Sequence, residues 1–255
     1  MLNLSELTDK VRALAIEAGD FIREERKKFH REAIEKKHAH DYVSYVDKES
    51  EKKIVTRLKE LLPEAGFIAE EGSGTLNDEQ YCWLVDPLDG TTNFIHDNAP
   101  YCVSIALRSK KELLLGVVYE ICRNECFWTY KGAPSYLNGN EIHVSAISNL
   151  DDSFIALGFP YATEEYKPMA NHLVNTLYGN VAGLRLMGAA AVELCYIAAG
   201  RFEARIEAFI GPWDIAAGTI ILQNAGGMIT DFKGGDSYSS GSQVLASNGE
   251  SIEIC

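Results

Sequence analysis

The residues best suited to chemistry lie in three acidic segments: Glu70–Glu71, Asp86-Pro-Leu-Asp-Gly-Thr-Thr-Asn93, and Trp213-Asp214. Each follows an apolar run and precedes a turn or a helix signal. Carboxylates at strand ends of a layered α/β structure converge on the edge where ligands bind. In the middle segment, Pro87 fixes one φ angle and stiffens the chain. Gly90 permits positive φ or a close backbone approach. Asp86 and Asp89 can then face one side from a single rigid turn. Hard cations such as Mg2+ take oxygen ligands in a near-octahedral cage, and two carboxylates from one turn supply a good part of it. Thr91-Thr92-Asn93 reads as the opening of a helix, whose free N–H groups suit an anion.

Taken singly, each segment also has a plain structural role. Asp-Pro-Leu-Asp-Gly makes a surface turn, Glu70–Glu71 a solvated acidic loop, and Asp214 a helix N-cap before IAAGTIIL. Their joint occurrence favours a cation site, and an N-cap Asp can still offer an outer oxygen to a metal. Neither GxSxG nor GxxxxGK[ST] occurs, so no other nucleophile or phosphate loop is signalled. The net charge of −13 repels nucleic-acid phosphates and anionic membranes, which argues against both as partners. An anionic substrate would therefore need a local reversal of sign, which bound divalent cations supply.

The remaining features read as structure. No apolar stretch nears the roughly 18 residues of a membrane helix. MLNLSELTDK has no secretory pattern, so the expected location is cytoplasmic. The six cysteines form no CxxC pair, and those in apolar runs, such as Cys195 in AVELCYIAAG, read as small buried hydrophobes. His38-Ala-His40 lies in a charged stretch with no third ligand and reads as a solvated loop.

The elements that must position the acids follow from periodicity. Apolar residues at three- and four-residue steps predict helices over 4–30 and about 46–62, the second ended by Pro63. From Gly66, short apolar runs predict strands at GFIA, YCWLVD, YCVSIALRS, ELLLGVVYEI and NECFWTYKGAP, the last three as an antiparallel meander. Beyond Ser153, FIALGFP, FEARIEAF, GMITDF and SQVLASN read as strands. MANHLVNTLYGN, GAAAVELCYIAAG and DIAAGTIILQNAGG read as helices ending at glycines. The chain reads as one compact unit over 1–255, with possible halves 1–150 and 151–255.

WLVDPLDGTTNF and GPWDIAAGTIILQNAGG resemble the two signature segments of the inositol monophosphatase family. DYVSYVDKESEK, FIAEEG, MGAAAVELC and VLASN extend the likeness along nearly the whole chain. The resemblance implies a layered α-β-α-β-α sandwich of the α+β class and a Mg2+-dependent, lithium-sensitive phosphatase, usually dimeric. It further implies that Glu70, Asp86 and the Leu88 carbonyl bind one metal, that Asp86, Asp89 and Asp214 bind a second, and that a third, weaker ion lies near Glu70. Thr91, paired with Asp47, would orient and deprotonate the attacking water. Gly188, Ala189 and Ala190 would contact substrate through backbone, beside Asp89, Gly90, Thr91 and Asp214. Glu207 would accept hydrogen bonds from sugar or cyclitol hydroxyls. Lys36 stands where the family has a basic residue near the metals. Ser44 replaces a frequent Thr, and Ala189 a frequent hydroxyl residue.

The implied substrate is a small phosphorylated polyol or sugar, foremost inositol monophosphate. Fructose 1,6-bisphosphate, 3′-phosphoadenosine 5′-phosphate, NADP and histidinol phosphate are the alternatives within the fold. A bisphosphate wants an extra cation for its second phosphate, and near Gly188–Glu207 only Arg185, Arg201 and Arg205 offer one. A metal- or phosphate-binding module without catalysis would have lost Asp47, Thr91 or a ligand carboxylate; all are present.

Overall fold

The computed structural model describes residues 2–30, 34–38, 41–74, 79–110, 112–160 and 163–250. It begins with α1 (Leu4–Arg26), opened by the Asn3 side chain, which accepts the Glu6 N–H at 3.2 Å. The apolar stripe Leu7, Val11, Leu14, Ala18 and Ile22 is buried, as the three- and four-residue spacing requires. The strands β1 (Ile34–His38) and β2 (Asp41–Ser44) pair antiparallel. The expectation of a charged loop through His38 is therefore corrected: alternating Ile34, Lys36 and His38 align against Ser44, Tyr42 and Asp41. The side chains of Lys36 and His38 and the whole of His40 lie outside the described residues. Next come α2 (Tyr45–Leu61), β3 (Gly66–Ala69), β4 (Tyr81–Asp89) and α3 (Thr91–Ile95).

An antiparallel run follows: β5 (Cys102–Ser109), β6 (Leu113–Glu120), β7 (Glu125–Tyr130), β8 (Ser135–Leu137) and β9 (Asn140–Ile142). The rest of the chain gives β10 (Phe154–Gly158), α4 (Thr163–Leu177), β11 (Gly183–Arg185), α5 (Ala190–Ala198), β12 (Ala204–Glu207), α6 (Pro212–Asn224), β13 (Met228–Thr230) and β14 (Val244–Ser247).

The strands form a seven-stranded sheet in the order β3-β4-β5-β6-β7-β8-β9 and a five-stranded mixed sheet in the order β11-β10-β12-β14-β13. Helices α1 and α2 cover one face of the larger sheet. Helices α5 and α6 fill the space between the sheets, and α4 packs outside the smaller one. This is the α-β-α-β-α order. Burial on two sides explains two sequence patterns. Leu114–Glu120 in β6 is buried without alternation, and every residue of α5 is buried, so that helix is apolar on nearly every side, with Glu193 its one charged residue. Residues on both sides of position 150 share the core between the sheets. No described helix is long and apolar enough to cross a membrane.

Cys82, Cys102, Cys126 and Cys195 are buried free thiols, as expected for small hydrophobes, whereas Cys122 is exposed. Arg185 lies on β11, with its guanidinium over the Phe154 ring.

Candidate active site

The acidic segment of β4 is a strand end rather than the free turn expected from Asp-Pro-Leu-Asp-Gly. Asp86 pairs with Ser104 and Asp89 with Cys102, so three steps on β4 oppose two on β5, a one-residue bulge. Pro87 sits inside that bulge and beyond Ala69, the last β3 residue in register, where its missing N–H interrupts no ladder bond. Its carbonyl accepts from Ser50 Oγ at 3.3 Å. The bulge re-aims Asp86 and Asp89 into a shared cleft. Gly90 then turns the chain at φ +90, and a side chain there would press on the Pro100 carbonyl at 3.0 Å. Thr91 is the first residue of α3.

A cleft of about 610 Å³ is lined by Glu70, Asp86, Leu88, Asp89, Gly90, Thr91, Gly188, Ala189, Ala190, Glu207 and Asp214. Burial pushes the Asp86 carboxyl well above the usual range, and the negative charges of Glu70, Asp89 and Asp214 push it further. Burial raises Asp89 to about 7 against the pull of the Ala191 N–H. Asp214 is likewise raised to about 7, first by burial and then by Asp89. The Ala190 and Ala191 N–H groups donate to Asp89 Oδ1 and Oδ2 at 3.1 and 2.7 Å. The Leu88 N–H donates to Asp86 Oδ1 at 3.0 Å.

Asp214 is not the N-cap its sequence suggested. The helix starts earlier, at Pro212, and Asp214 reaches back from the third position to accept the Gly211 N–H at 2.8 Å. Among the described residues, no group of three or more Asp, Glu, His or Cys side chains already forms a metal cage. The donor set nonetheless suits a hard cation: all its ligands are oxygens, and the acids raise one another's affinity for positive charge.

Asp47 lies behind the cleft. It is buried, and its Oδ1 accepts the Thr91 hydroxyl at 2.8 Å, while Thr91 Oγ1 also lies 3.1 Å from the Leu88 carbonyl. Asp47 Oδ2 takes the Ser44 N–H at 2.8 Å and the Ser44 hydroxyl at 2.6 Å, the capping box that opens α2. Burial raises the Asp47 carboxyl, partly offset by Ser44 and Thr91. One turn further along α2, buried Glu51 accepts the Glu71 and Ser73 N–H groups at 2.7 and 2.9 Å. This clamps the loop that carries Glu70.

The opposite wall comes from the smaller sheet and the loop before α5. Asn93 Nδ2 donates to the Met187 and Pro100 carbonyls, both at 2.7 Å, which ties that loop to α3. Glu207 lies at the end of β12, in ion contact with buried Arg205. Arg205 also binds Glu193 of α5 at 2.6 Å.

The inositol monophosphatase family model matches residues 3–254. The chain belongs to the inositol monophosphatase family. A relative named Nus factor SuhB, from Pasteurella multocida, is 39% identical over 212 residues, covering 82% of this chain and 79% of that protein. The structure of the extragenic suppressor protein SuhB from Bartonella henselae superposes with TM-score 0.87 at 33% identity, covering 92% of this chain and 91% of that one. The inositol monophosphatase from Anabaena (Nostoc) superposes with TM-score 0.85 at 31% identity, covering 97% and 92%.

Membership in the inositol monophosphatase family accounts for the α-β-α-β-α layers and for a phosphatase-type site. Glu70, Asp86, Leu88, Asp89, Gly90, Thr91, Gly188, Ala189, Ala190, Glu207 and Asp214 all line the cleft, and Asp47 reaches it through Thr91, whereas Glu71, Ser44, Arg185 and Arg201 are not among the described lining residues. Sequence reading passed over Glu51 and Glu193, whose buried carboxylates act on backbone N–H groups. It weighed Arg205 only as a free cation. For Glu193, the signal was an acid inside the apolar run AAAVELCYIAA.

Proposed function

We propose that the chain is a Mg2+-dependent hydrolase of small phosphate monoesters, with inositol monophosphate the leading substrate. The observation that carries this reading is the burial of Asp86, Asp89 and Asp214 in one cleft, where the charge of Asp89 pushes up both Asp86 and Asp214. Glu70, Asp86 and the Leu88 carbonyl would hold one ion, and Asp86, Asp89 and Asp214 a second, with a weaker third near Glu70. Bound Mg2+ would supply positive charge to the phosphoryl oxygens and to the leaving oxygen.

The chain's own residues supply the rest. Thr91 Oγ1 is fixed by Asp47 and can accept a hydrogen bond from an attacking water while its own proton stays directed at Asp47 Oδ1. Asp47, raised by burial, takes up that proton more readily than an exposed aspartate would. The backbone from Gly188 to Ala190 borders the phosphate end, and Glu207 offers a carboxylate to hydroxyl groups. A monophosphate is favoured because Arg205, the one Arg or Lys among the described lining residues, is already engaged by two carboxylates. Arg201 is taken by Glu125 at 2.7 Å. Lithium sensitivity and dimerisation belong to the same proposal and rest on family membership; a cytoplasmic location belongs to it too and rests on the sequence reading of MLNLSELTDK.

The test is a panel of phosphate esters assayed with and without Mg2+ and ranked by kcat/KM. Inositol monophosphate should lead, and activity should vanish with chelation; turnover unaffected by chelation would reject the reading. The Pasteurella relative is named a Nus factor, so a partner-binding role is a second reading. In that case an Asp86→Asn protein would keep its partner while losing turnover.

A further inference from the structure

Behind the hydroxyl-facing wall of the cleft runs a buried chain of charges that the reaction scheme does not use. Glu193 Oε1 accepts the Met187 and Gly188 N–H groups at 3.1 and 3.2 Å. Its Oε2 accepts Arg205 Nε at 2.6 Å, and Arg205 Nη2 donates to Glu207 Oε2. The side chains of Glu193 and Arg205 are 1% and 2% exposed, and that of Glu207 is 13% exposed. The neighbouring strand makes room for this contact: at Gly158, paired with Glu207 across β10 and β12, any Cβ would strike the Glu207 carboxylate. Each link thus joins one part of the substrate wall to another.

We infer that Arg205 is a positioning residue for substrate specificity, tying Glu207 to buried Glu193 so that the Glu207 carboxylate is held in one fixed position for the hydroxyl groups of a polyhydroxylated phosphate ester, while Glu193 holds the Gly188 N–H at the phosphate end by its other oxygen. The inference rests on the phosphatase reading above. Two physical points support it. A buried Glu–Arg–Glu set is a poor way to gain stability, because desolvation offsets most of the attraction and apolar residues of similar size pack as well. Its geometry, by contrast, is specific: a planar guanidinium donates in two fixed directions, so it sets the angle between its partners as a lysine cannot. Glu207 borders the cleft at its end of the chain, and Gly188 borders it at the other.

The test compares inositol monophosphate with phenyl phosphate, which lacks the hydroxyl groups. Arg205→Gln should raise KM for inositol monophosphate about tenfold, shift kcat less than about threefold, and change phenyl phosphate kinetics by less than about threefold. Arg205→Lys should recover only part of the loss. The double variant Arg205→Gln/Glu207→Gln should lose no more than Glu207→Gln alone, because both changes break one unit.

Binding is read with turnover slowed, in an Asp47→Asn background, by calorimetry with Mg2+ present. There Arg205→Gln should weaken inositol monophosphate about tenfold and leave inorganic phosphate within about threefold. If Arg205→Gln does not fold, Glu193→Gln should show the same selectivity at smaller size. Equal losses for both esters, or additive losses in the double variant, would overturn the inference. If the unaltered protein hydrolyses neither ester and the Asp47→Asn protein binds neither, the phosphatase reading fails and the inference falls with it.

Discussion

The two walls of the cleft treat buried acid in opposite ways. On the β4 side, Asp86 is raised by burial and then by three other acids, and Asp214 is raised by burial and then by Asp89. On the β12 side, burial raises Glu193, but Arg205 opposes the shift. Arg205 is itself held protonated by Glu207 and Glu193 against the opposing effect of its burial. One wall therefore gathers buried acids that an external cation would offset, and the other sets one arginine between two carboxylates. Buried like charges are unstable unless something binds them, so the unbalanced wall is where a ligand cation belongs. The arginine wall is where shape is held.

The comparison breaks most visibly at Asp86. Asp86→Asn should lower Mg2+-dependent turnover by about a thousandfold or more. The same change should raise the melting temperature of the metal-free protein, since a buried like charge is removed. A variant that loses stability without metal would contradict the unbalanced wall. Next in size, Asp47→Asn or Thr91→Val should each lower kcat by about a hundredfold while a Mg2+ titration stays near that of the unaltered protein.

A pH series sharpens the same contrast. Asp89 and Asp214 sit at about 7 in the folded chain against an ordinary 3.8. The folded state therefore holds protons that the unfolded state releases, and this cluster's contribution to metal-free stability falls as pH rises from about 4 to 7. Melting curves in chelator should show that fall, and both added Mg2+ and Asp214→Asn should flatten it. Activity should run the other way and drop below about pH 7, with more Mg2+ moving the midpoint lower.

On the arginine wall, Glu207→Ala should raise KM for inositol monophosphate about tenfold with little change in Mg2+ affinity. Equal effects on both would misplace Glu207. The smallest effect is expected outside the cleft. Arg201 pairs with Glu125 through two contacts of 2.7 Å, and Arg201→Ala should lower stability by about 1 kcal/mol, read by urea unfolding, without altering kcat/KM.

Much of this was legible in the sequence because it is local. The apolar stripe of α1, the strand runs of β4 to β7 and the small-residue helix α5 follow from periodicity and composition. The hairpin of β1 and β2 was not legible, since its charged residues carry no buried face pattern. The bulge between Asp86 and Asp89 was hidden for another reason: an Asp-Pro-Leu-Asp-Gly run spells a turn unless a neighbouring strand continues the ladder past it.

Sequence alone determined which residues carry oxygen donors, their type and spacing pointed to a hard-cation chemistry, and the likeness of WLVDPLDGTTNF and GPWDIAAGTIILQNAGG to the family's signature segments pointed to the family. Only the tertiary structure decided which acids lie beside one another and which lie beside an arginine. Asp89 and Asp214 are 125 positions apart in the sequence numbering, yet Asp89 is a main cause of the Asp214 shift. Arg205 faces Glu193 rather than solvent because β12 and α5 pack together. Charge type is a property of each residue, whereas charge balance depends on distance and burial, and both of those are set only when the two sheets close on the helices between them.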